Sequence, residues 1–328
     1  MERIKTVFQN CFPNLSDYVY LQKLKKKNNK TIRKNKSLNE SDYPDFLRME
    51  YKQKTGHELD LQNPGRLTEK IQWRKLNDCS CVYSELSDKY KVRKWVEQKI
   101  GSEYLIPLLG TWKHFNEIDF HSLPDQFVLK TNNASHTNMV ITDKKLFMRK
   151  KWSAGKTFQY WLETPFAYLE GLELHYCKID PVIIAEQYIQ PEPGKKELSD
   201  YKFHCFNGTP YLCQVISDRS SGETIDFYDT KWNHVPIART PYPNAAQPAE
   251  KPDAYDQMVS LAAELSKGFR YVRVDLYNHN GQIYFGEMTF TPGSGYMVFD
   301  PDDWDFRLGD LWDLHSSQID EATVNLEM

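Results

Sequence analysis

The sequence predicts an α+β fold, and three observations carry that prediction. Segments that alternate apolar and polar residues come in pairs joined by Asn-Gly turns, as at Asn207-Gly208 and Asn280-Gly281. Segments with apolar residues at helical spacing interrupt those pairs. The N-terminal third reads as mainly helical, and strands dominate from Leu105 onward.

In chain order, residues 43–54, 67–76 and 87–100 carry the helical pattern. Asn63-Pro64-Gly65 breaks the first from the second, and Gly101 stops the third. Residues 125–131 form a short β run with 139–142 as its expected hairpin partner. Residues 151–168 are an aromatic-rich helix, and 182–189 a buried strand. The turn-rich connection 191–194 is the expected lobe boundary. Residues 201–206 and 211–218 pair across Asn207-Gly208. Residues 253–267 form a helix with Gly268 as its C-cap.

The chain has 328 residues, 40% hydrophobic and 14% aromatic, enough for one large or two to three small domains. Mean hydropathy is −0.68 and no long apolar run occurs, so a transmembrane helix is not expected. The first residues lack an apolar signal-peptide core, so secretion is not expected either. Six scattered cysteines include no CxxC pair, which argues against structural zinc and a disulfide framework. Reduced thiols in a cytoplasm are the expectation.

The net charge of −3 is unevenly spread. Ten of the 42 Lys and Arg but only two of the 45 acids fall in residues 1–36, leaving that segment at +8 and the rest at −11. The run from Lys23 to Lys36 contains no acid. A solvated helix face is the plain reading of such a run. Peripheral attraction to an anionic membrane, at its inner face for a cytoplasmic protein, is the sharper one. Nucleic-acid binding is not expected, because no stacking aromatics interleave with these charges.

Residues 271–296, YVRVDLYNHNGQIYFGEMTFTPGSGY, are the most informative stretch. Val272, Val274 and Leu276 point one way, and Arg273, Asp275 and Tyr277 the other. A two-residue Asn-Gly loop would put Asp275 and Glu287 on different faces. A three-residue loop, His279-Asn280-Gly281, pairs Asn278 with Gln282, places Arg273 opposite Glu287 and sets Asp275 diagonally beside it. Arg273, Asp275, Glu287 and Thr289 then share one face. Two carboxylates and a hydroxyl form a hard, oxygen-rich site suited to Mg2+ carrying phosphates, and an adjacent arginine suits a transferring phosphoryl group. An exposed charged hairpin face is the plainer alternative.

Strand-Arg-x-Asp, turn, strand-Glu, then Thr291-Pro292-Gly293 resembles the metal-binding end of ATP-grasp enzymes. GEMTFTPGSG at 286–295 and DYKFHCFNG at 200–208 resemble more closely the TupA-like ATP-grasp family, over roughly residues 43–314. That resemblance implies two α+β lobes clasping ATP, preceded by a largely helical region. The implied division is 1–86, helix-rich; 87–192, first lobe with an adenine hinge; and 193–328, second lobe with the metal and substrate site.

It also implies roles residue by residue. Lys89, opening a helix beside Asp88, and Lys130, ending an apolar strand, match phosphate-contacting lysines. The loop 131–138, with Ser135 and His136, matches the phosphate-covering loop but contains no glycine. Glu186, Gln187 and Ile189 match the adenine hinge, and Asp200 the ribose-binding acid, with Lys202 beside it on the nucleotide. Asp275, Glu287 and Thr289 match the metal ligands, although Thr289 stands where many such enzymes have asparagine. Arg273 and Arg219 match catalytic cations. Asp218, Gly293, Ser294 and Gly295 match the substrate side, where small residues would leave room for a bulky sugar. Phe227, Tyr228 and Trp232 fit either an acceptor cleft or the core.

The resemblance implies an ADP-forming ligase that uses ATP and Mg2+ to join a carboxylate to an amine through an acylphosphate. The family's link to surface polysaccharide implies a uronic acid, small or glycan-borne, and an amino acid or related amine. A glycosyltransferase, suggested by acid pairs such as Asp302-Asp303, and a non-catalytic nucleotide-binding protein are the alternatives.

Overall fold

A computed structural model describes residues 13–78, 81–192, 198–217 and 222–314. The architecture is α+β, as the sequence predicts, and divides into two compact units that are discontinuous in sequence. The first takes in the described parts of residues 1–38, 107–172 and 176–188; the second takes in 39–106, 173–175 and the described residues from 189 on. The units are thus drawn along a different line from the three consecutive segments expected above, which remain a proposal about the family's lobes.

In the first unit, β1 (Leu108–Trp112), β2 (Phe127–Thr131), β3 (Asn138–Ile141) and β4 (Ile183–Gln187) make an antiparallel sheet of order β1-β4-β2-β3. β2 and β3 are the expected hairpin. Phe127 and Leu129 alternate into a core with Ile141, Ile183 and Ala185, and Phe158 of the Lys151–Glu163 helix packs there too. Lys130 takes the other face, as a strand-end lysine must. The basic run lies within a 24-residue helix, Pro13–Lys36, which buries Leu21 and Ile32.

In the second unit, β5 (Asp200–Phe206), β6 (Thr209–Ser217), β7 (Thr224–Asp229), β8 (His234–Val235), β10 (Tyr271–His279) and β11 (Gln282–Thr289) form an antiparallel sheet of order β11-β10-β5-β6-β7-β8. β9 (Ala238–Thr240) and β12 (Val298–Asp300) pair separately. One sheet face buries Phe203, Cys205, Val272, Val274 and Leu276 against Met258, Ala262 and Leu265 of the Tyr255–Ser266 helix. Gly268, at φ 87°, follows that helix as expected. The other face is polar toward β11 and apolar toward β7, where Leu212, Ile225 and Phe227 meet Leu67, Ile71 and Leu308. Phe227 and Tyr228 belong to the core, and Trp232 stacks on Tyr228 at 4.0 Å between centroids.

Three expectations change. The helix expected over 151–168 ends at Glu163, and Phe166–Tyr168 is a separate short 3-10 turn. The helix expected over 87–100 is two, Cys81–Ser87 and Val92–Lys99, because Asp88 closes a turn between them. Its Oδ1 accepts from the N–H groups of Tyr90 at 2.8 Å and Lys91 at 3.2 Å. Lys89 therefore lies in that turn rather than in a helix. The Leu67–Asn77 helix matches its expected span but buries polar side chains too: Thr68, Glu69, Gln72, Arg74 and Lys75. Arg74 Nη1 donates to the carbonyls of Tyr271 at 2.8 Å and Phe290 at 3.1 Å.

The Asp302-Asp303 pair is structural. Arg66 grips Asp302 with two bonds of 2.6 and 2.8 Å, and Asp303 pairs with Arg307 one helical turn on. Cys81, Cys177, Cys205 and Cys213 are free thiols.

Candidate functional site

The hairpin of β10 and β11 brings the four sequence-selected residues to one face by a route different from the one expected. Its loop has two residues, not three: His279 pairs with Gln282, and Asn280 and Gly281 take φ of 51° and 84°. That type I′ turn suits Asn-Gly and matches the twist of the strands. By itself it would put Asp275 and Glu287 on opposite faces. The register shifts between Asp275 and Leu276, with Gly286 the extra residue on β11. Beyond this bulge Asp275 stands directly opposite Glu287, and Arg273 opposite Thr289.

Arg273 organises the cluster. Its Nε and Nη2 donate to the two Asp275 oxygens, both at 2.7 Å. Nη2 also reaches Glu287 Oε1 at 3.1 Å and Thr289 Oγ1 at 3.0 Å. The Thr289 hydroxyl donates to Glu287 Oε1 at 3.1 Å. On β5, paired with β10 on its other side, Lys202 lies across from Asp275 and His204 across from Arg273. Lys202 Nζ bonds Asp275 Oδ2 and sits 3.0 Å from Asp200 Oδ2. Lys89 Nζ is 3.9 Å from Glu287 Oε2. Three cations thus face three carboxylates, and Asp275 is buried to 1% exposure while the Glu287 side chain keeps 30%.

The electrostatics follow from that crowding. Burial opposes the Arg273 charge, but Asp275 overrides it and holds the guanidinium above its ordinary value. Burial also opposes the Glu287 charge, but Lys89, then Lys202 and Arg273, hold its carboxyl well below the usual range. Burial pushes Asp275 upward, against Arg273 and Lys202. His204 is pushed down to about 3 by burial and then by Arg273, so it is neutral at ordinary pH. Its Nδ1 is 2.9 Å from the Tyr271 hydroxyl, and its Nε2 is 3.5 Å from Gln214 Oε1. Among the described residues the buried Gln214 Nε2 has no hydrogen-bond partner.

The donors on this face fit a hard divalent cation: Asp275, Glu287 and Thr289 offer oxygen only. No group of three or more His, Cys, Asp or Glu side chains suited to a metal occurs among the described residues. Further oxygens would come from phosphates and water, as is usual for magnesium.

The loop Thr291–Tyr296 is anchored by the Leu67–Asn77 helix, which sequence reasoning missed. Gln72 Nε2 donates to the carbonyls of Ser294 and Gly295, both at 2.9 Å. Lys75 Nζ bonds the Ser294 carbonyl at 2.7 Å and its hydroxyl at 2.8 Å. Gly293, Ser294 and Gly295 all have φ between 52° and 68°. Their smallness does not leave open space. A Cβ on Gly295 would lie 2.6 Å from Gln72 Nε2, and one on Gly293 2.7 Å from Met297 Cγ. The expected room for a sugar is therefore corrected: these glycines permit a left-handed turn packed against its neighbours. Positions 72 and 75, one helical turn apart, were a signal for this anchor, obscured because polar helix residues normally face water.

In the first unit, Lys130 Nζ is 2.6 Å from Glu186 Oε2, so the expected phosphate lysine and adenine-side acid meet as an ion pair. The Gln187 N–H is taken by the Pro107 carbonyl at 2.9 Å, and the Gln187 side chain is exposed. Ile189 is half-buried and belongs to the second unit. The glycine-free loop is tied both to itself and to the residue that precedes β4. Thr131 Oγ1 donates to Thr137 Oγ1 at 2.7 Å, and Asn132 Oδ1 accepts from Val182 N–H at 2.8 Å. Ser135 and His136 are exposed at its tip. Asp218 and Arg219 lie outside the described residues.

Comparison with known proteins agrees with this chemistry at the level of the family. The family model described as TupA-like ATPgrasp matches residues 69–313. Among curated proteins nothing matches. A D-alanine–D-alanine ligase from Bacillus anthracis, in complex with ATP, is 16% identical over 64% of this chain and 56% of its own, with a TM-score of 0.37. The same enzyme from Helicobacter pylori is 15% identical over 71% and 60%, with a TM-score of 0.40. An N5-carboxyaminoimidazole synthase from Aspergillus clavatus, in complex with ADP and its ribonucleotide, is 12% identical over 66% and 46%, with a TM-score of 0.34. The chain thus spans between about half and three fifths of the length of these structures.

Proposed function

Because the chain belongs to the TupA-like ATP-grasp family and so has the ATP-grasp fold, we propose that it is an ADP-forming ligase joining a carboxylate to an amine. The observation that carries this reading is the pairing of Asp275 with Glu287 under the bidentate grip of Arg273.

In this reading Asp275, Glu287 and Thr289 hold Mg2+, which when bound supplies positive charge to the ATP phosphates. Lys89, now near Glu287, and Lys130, now on Glu186, exchange those carboxylates for phosphate oxygens. Lys202 does the same on leaving Asp275, while Asp200 takes a ribose hydroxyl. Glu186, Gln187 and Ile189 read the adenine edge, and Ser135 covers the phosphates. An oxygen of the substrate carboxylate attacks the γ-phosphorus in line, and the bond to ADP breaks. The amine nitrogen then attacks the acyl carbon and loses a proton, and phosphate leaves with the electrons of the old C–O bond. Arg273 neutralises charge on the transferring phosphoryl group and on the oxyanion that follows.

The acceptor we propose is a uronic acid, and the amine an amino acid or relative, so the product amide cancels the uronate charge. The residues that support an anionic acceptor beside ATP are the arginines, Arg273 and Arg219. The test is ADP release and product mass for a panel of uronates and amines. The expected product is the uronate plus the amine minus water, with ADP and phosphate formed in step. Glu287→Gln should keep the fold and lower magnesium-dependent turnover by about a hundredfold or more. AMP as the stoichiometric product sinks the mechanism. Activation of amino-acid carboxylates alone sinks the uronate.

A further inference from the structure

The helix Pro13–Lys36 carries eight Lys and Arg against one acid, Asp17. Its inner side is well anchored: Leu21 and Ile32 are buried, Asn35 donates to the Tyr168 carbonyl at 2.8 Å, and Lys25 and Lys36 lie over the rings of Tyr160 and Tyr168. On its outer side Leu15, Val19, Lys23, Lys26 and Lys30 follow one another at spacings of three and four, and all are exposed. Leu15, Val19 and Tyr20 are 48%, 45% and 70% exposed.

The start of this helix meets a second basic segment of the same unit. Asn14 Nδ2 donates to the Arg149 carbonyl at 2.7 Å, Ser153 Oγ donates to Asn14 Oδ1 at 3.0 Å, and the rings of Tyr18 and Trp152 are 5.2 Å apart. Residues 144–156 hold six Lys and Arg and no acid. They leave Leu146, Met148 and Trp152 exposed, at 54%, 37% and 53%. Six large apolar side chains therefore stand in solvent where two basic segments join.

We propose that this surface docks on an anionic lipid bilayer. Charge alone would serve for an acidic protein or an RNA. The combination of an apolar cluster with flanking lysines is what interfacial binding requires, because acyl chains accept the first and headgroup phosphates the second. Trp152 suits the headgroup boundary, where an amphipathic ring is favoured. No described helix is long and apolar enough to cross a membrane, so the attachment is to the surface. Leu15, Val19, Tyr20, Leu146, Met148 and Trp152 enter the boundary, and the Lys23–Lys26–Lys30 row lies along the headgroups. The proposal is independent of the ligase reading.

The test is co-sedimentation of the full chain with phosphatidylcholine vesicles, with and without phosphatidylglycerol, at low and high salt. Binding is expected only with phosphatidylglycerol and falls with salt. Each lysine at such a surface is worth about a fivefold change in partitioning, so reversing Lys23, Lys26 and Lys30 to Glu should abolish binding. Leu15→Ser with Val19→Ser should weaken it. Brominated acyl chains should quench fluorescence, and Trp152→Phe should remove that quenching. All these positions are exposed, and circular dichroism checks that each variant folds. Equal binding to neutral vesicles, no binding to anionic ones, or capture of single-stranded RNA without vesicles overturns the proposal.

Discussion

Asp275 and Glu287 stand opposite each other across β10 and β11 only because Gly286 adds one residue to the second strand. The Asn280-Gly281 turn sets one parity and the bulge reverses it. The charged face thus depends on a glycine that carries no chemistry itself.

Gly286→Ala tests that dependence. The added Cβ would lie 3.0 Å from the Asp275 carbonyl oxygen and 3.1 Å from Tyr277 Cε2. The carbonyl belongs to the paired strand and cannot turn aside. Overpacking of this kind costs about 1–3 kcal/mol, so the urea midpoint should fall. Magnesium-dependent turnover should fall with it, as the strand shifts under Glu287. An unchanged midpoint and turnover would mean that the bulge has room to relax.

His204 makes a pH prediction whose sign is fixed by burial. Its ordinary value of 6.5 falls to about 3 in the folded chain. Between those limits the unfolded chain binds a proton that the folded chain refuses. Stability is therefore full above 6.5 and declines as pH falls toward 3, by up to about 1.4 kcal/mol per unit. His175, also pushed down to about 3 by burial and then by Lys75 and Arg74, adds a similar slope. His204→Asn should remove about half of the histidine slope, read from denaturant midpoints across that window. An unaltered slope would mean that His204 titrates in the fold.

The hairpins β2-β3, β5-β6 and β10-β11 and the strand β4 were legible in the sequence because period-two alternation and tight turns are local signals, whereas β1, β7, β8, β9 and β12 and the pairings between strands distant in sequence were not. The members of the four-residue charged face were legible too, since residue type and parity group Arg273 with Asp275 and Glu287 with Thr289; bringing the two pairs to one face needed a change of parity, which the sequence analysis assigned to a three-residue loop. The route to it was not, because a bulge leaves no mark except a glycine inside a strand, and Gly286 was the only sign. Asp88 escaped as a turn-former because its neighbours 87–100 keep helical spacing through the break. The buried polar side of the Leu67–Asn77 helix was hidden for a different reason. Gln72, Arg74 and Lys75 donate to carbonyls more than 190 residues away in sequence, and no local pattern encodes such partners.

That anchoring gives a third prediction. Gly295→Ala would add strain at φ 68° and a contact of 2.9 Å with Ile71 Cγ2, and should destabilise by more than about 1 kcal/mol. Lys75→Met would strip the Ser294 carbonyl and hydroxyl of a buried donor, at about 1–3 kcal/mol. If the loop positions the acceptor, Lys75→Met should raise the KM for the acceptor more than that for ATP. Equal rises in both would assign Lys75 to stability alone.

Lys202 and Asp275 give the last prediction. Asp275 already holds two cations, Arg273 on both oxygens and Lys202 on one, and Lys202 is shared with Asp200. A divalent ion offered alone meets a carboxylate already neutralised, and to bind there it must separate a buried ion pair. Triphosphate changes the balance, because it offers Lys202 another anion and frees Asp275. Magnesium and nucleotide should therefore bind with positive cooperativity, each tightening the other by the same factor. Calorimetric titration measures this with Mg2+ alone, a non-hydrolysable ATP analogue alone, and both together. Lys202→Met should tighten Mg2+ binding without nucleotide by about tenfold and shrink the cooperativity. Lys202→Gln, which keeps a donor near Asp275 without the charge, should do the same if charge is the cause. If both variants fold and bind Mg2+ alone no better than the parent chain, Lys202 is not what keeps the ion from Asp275.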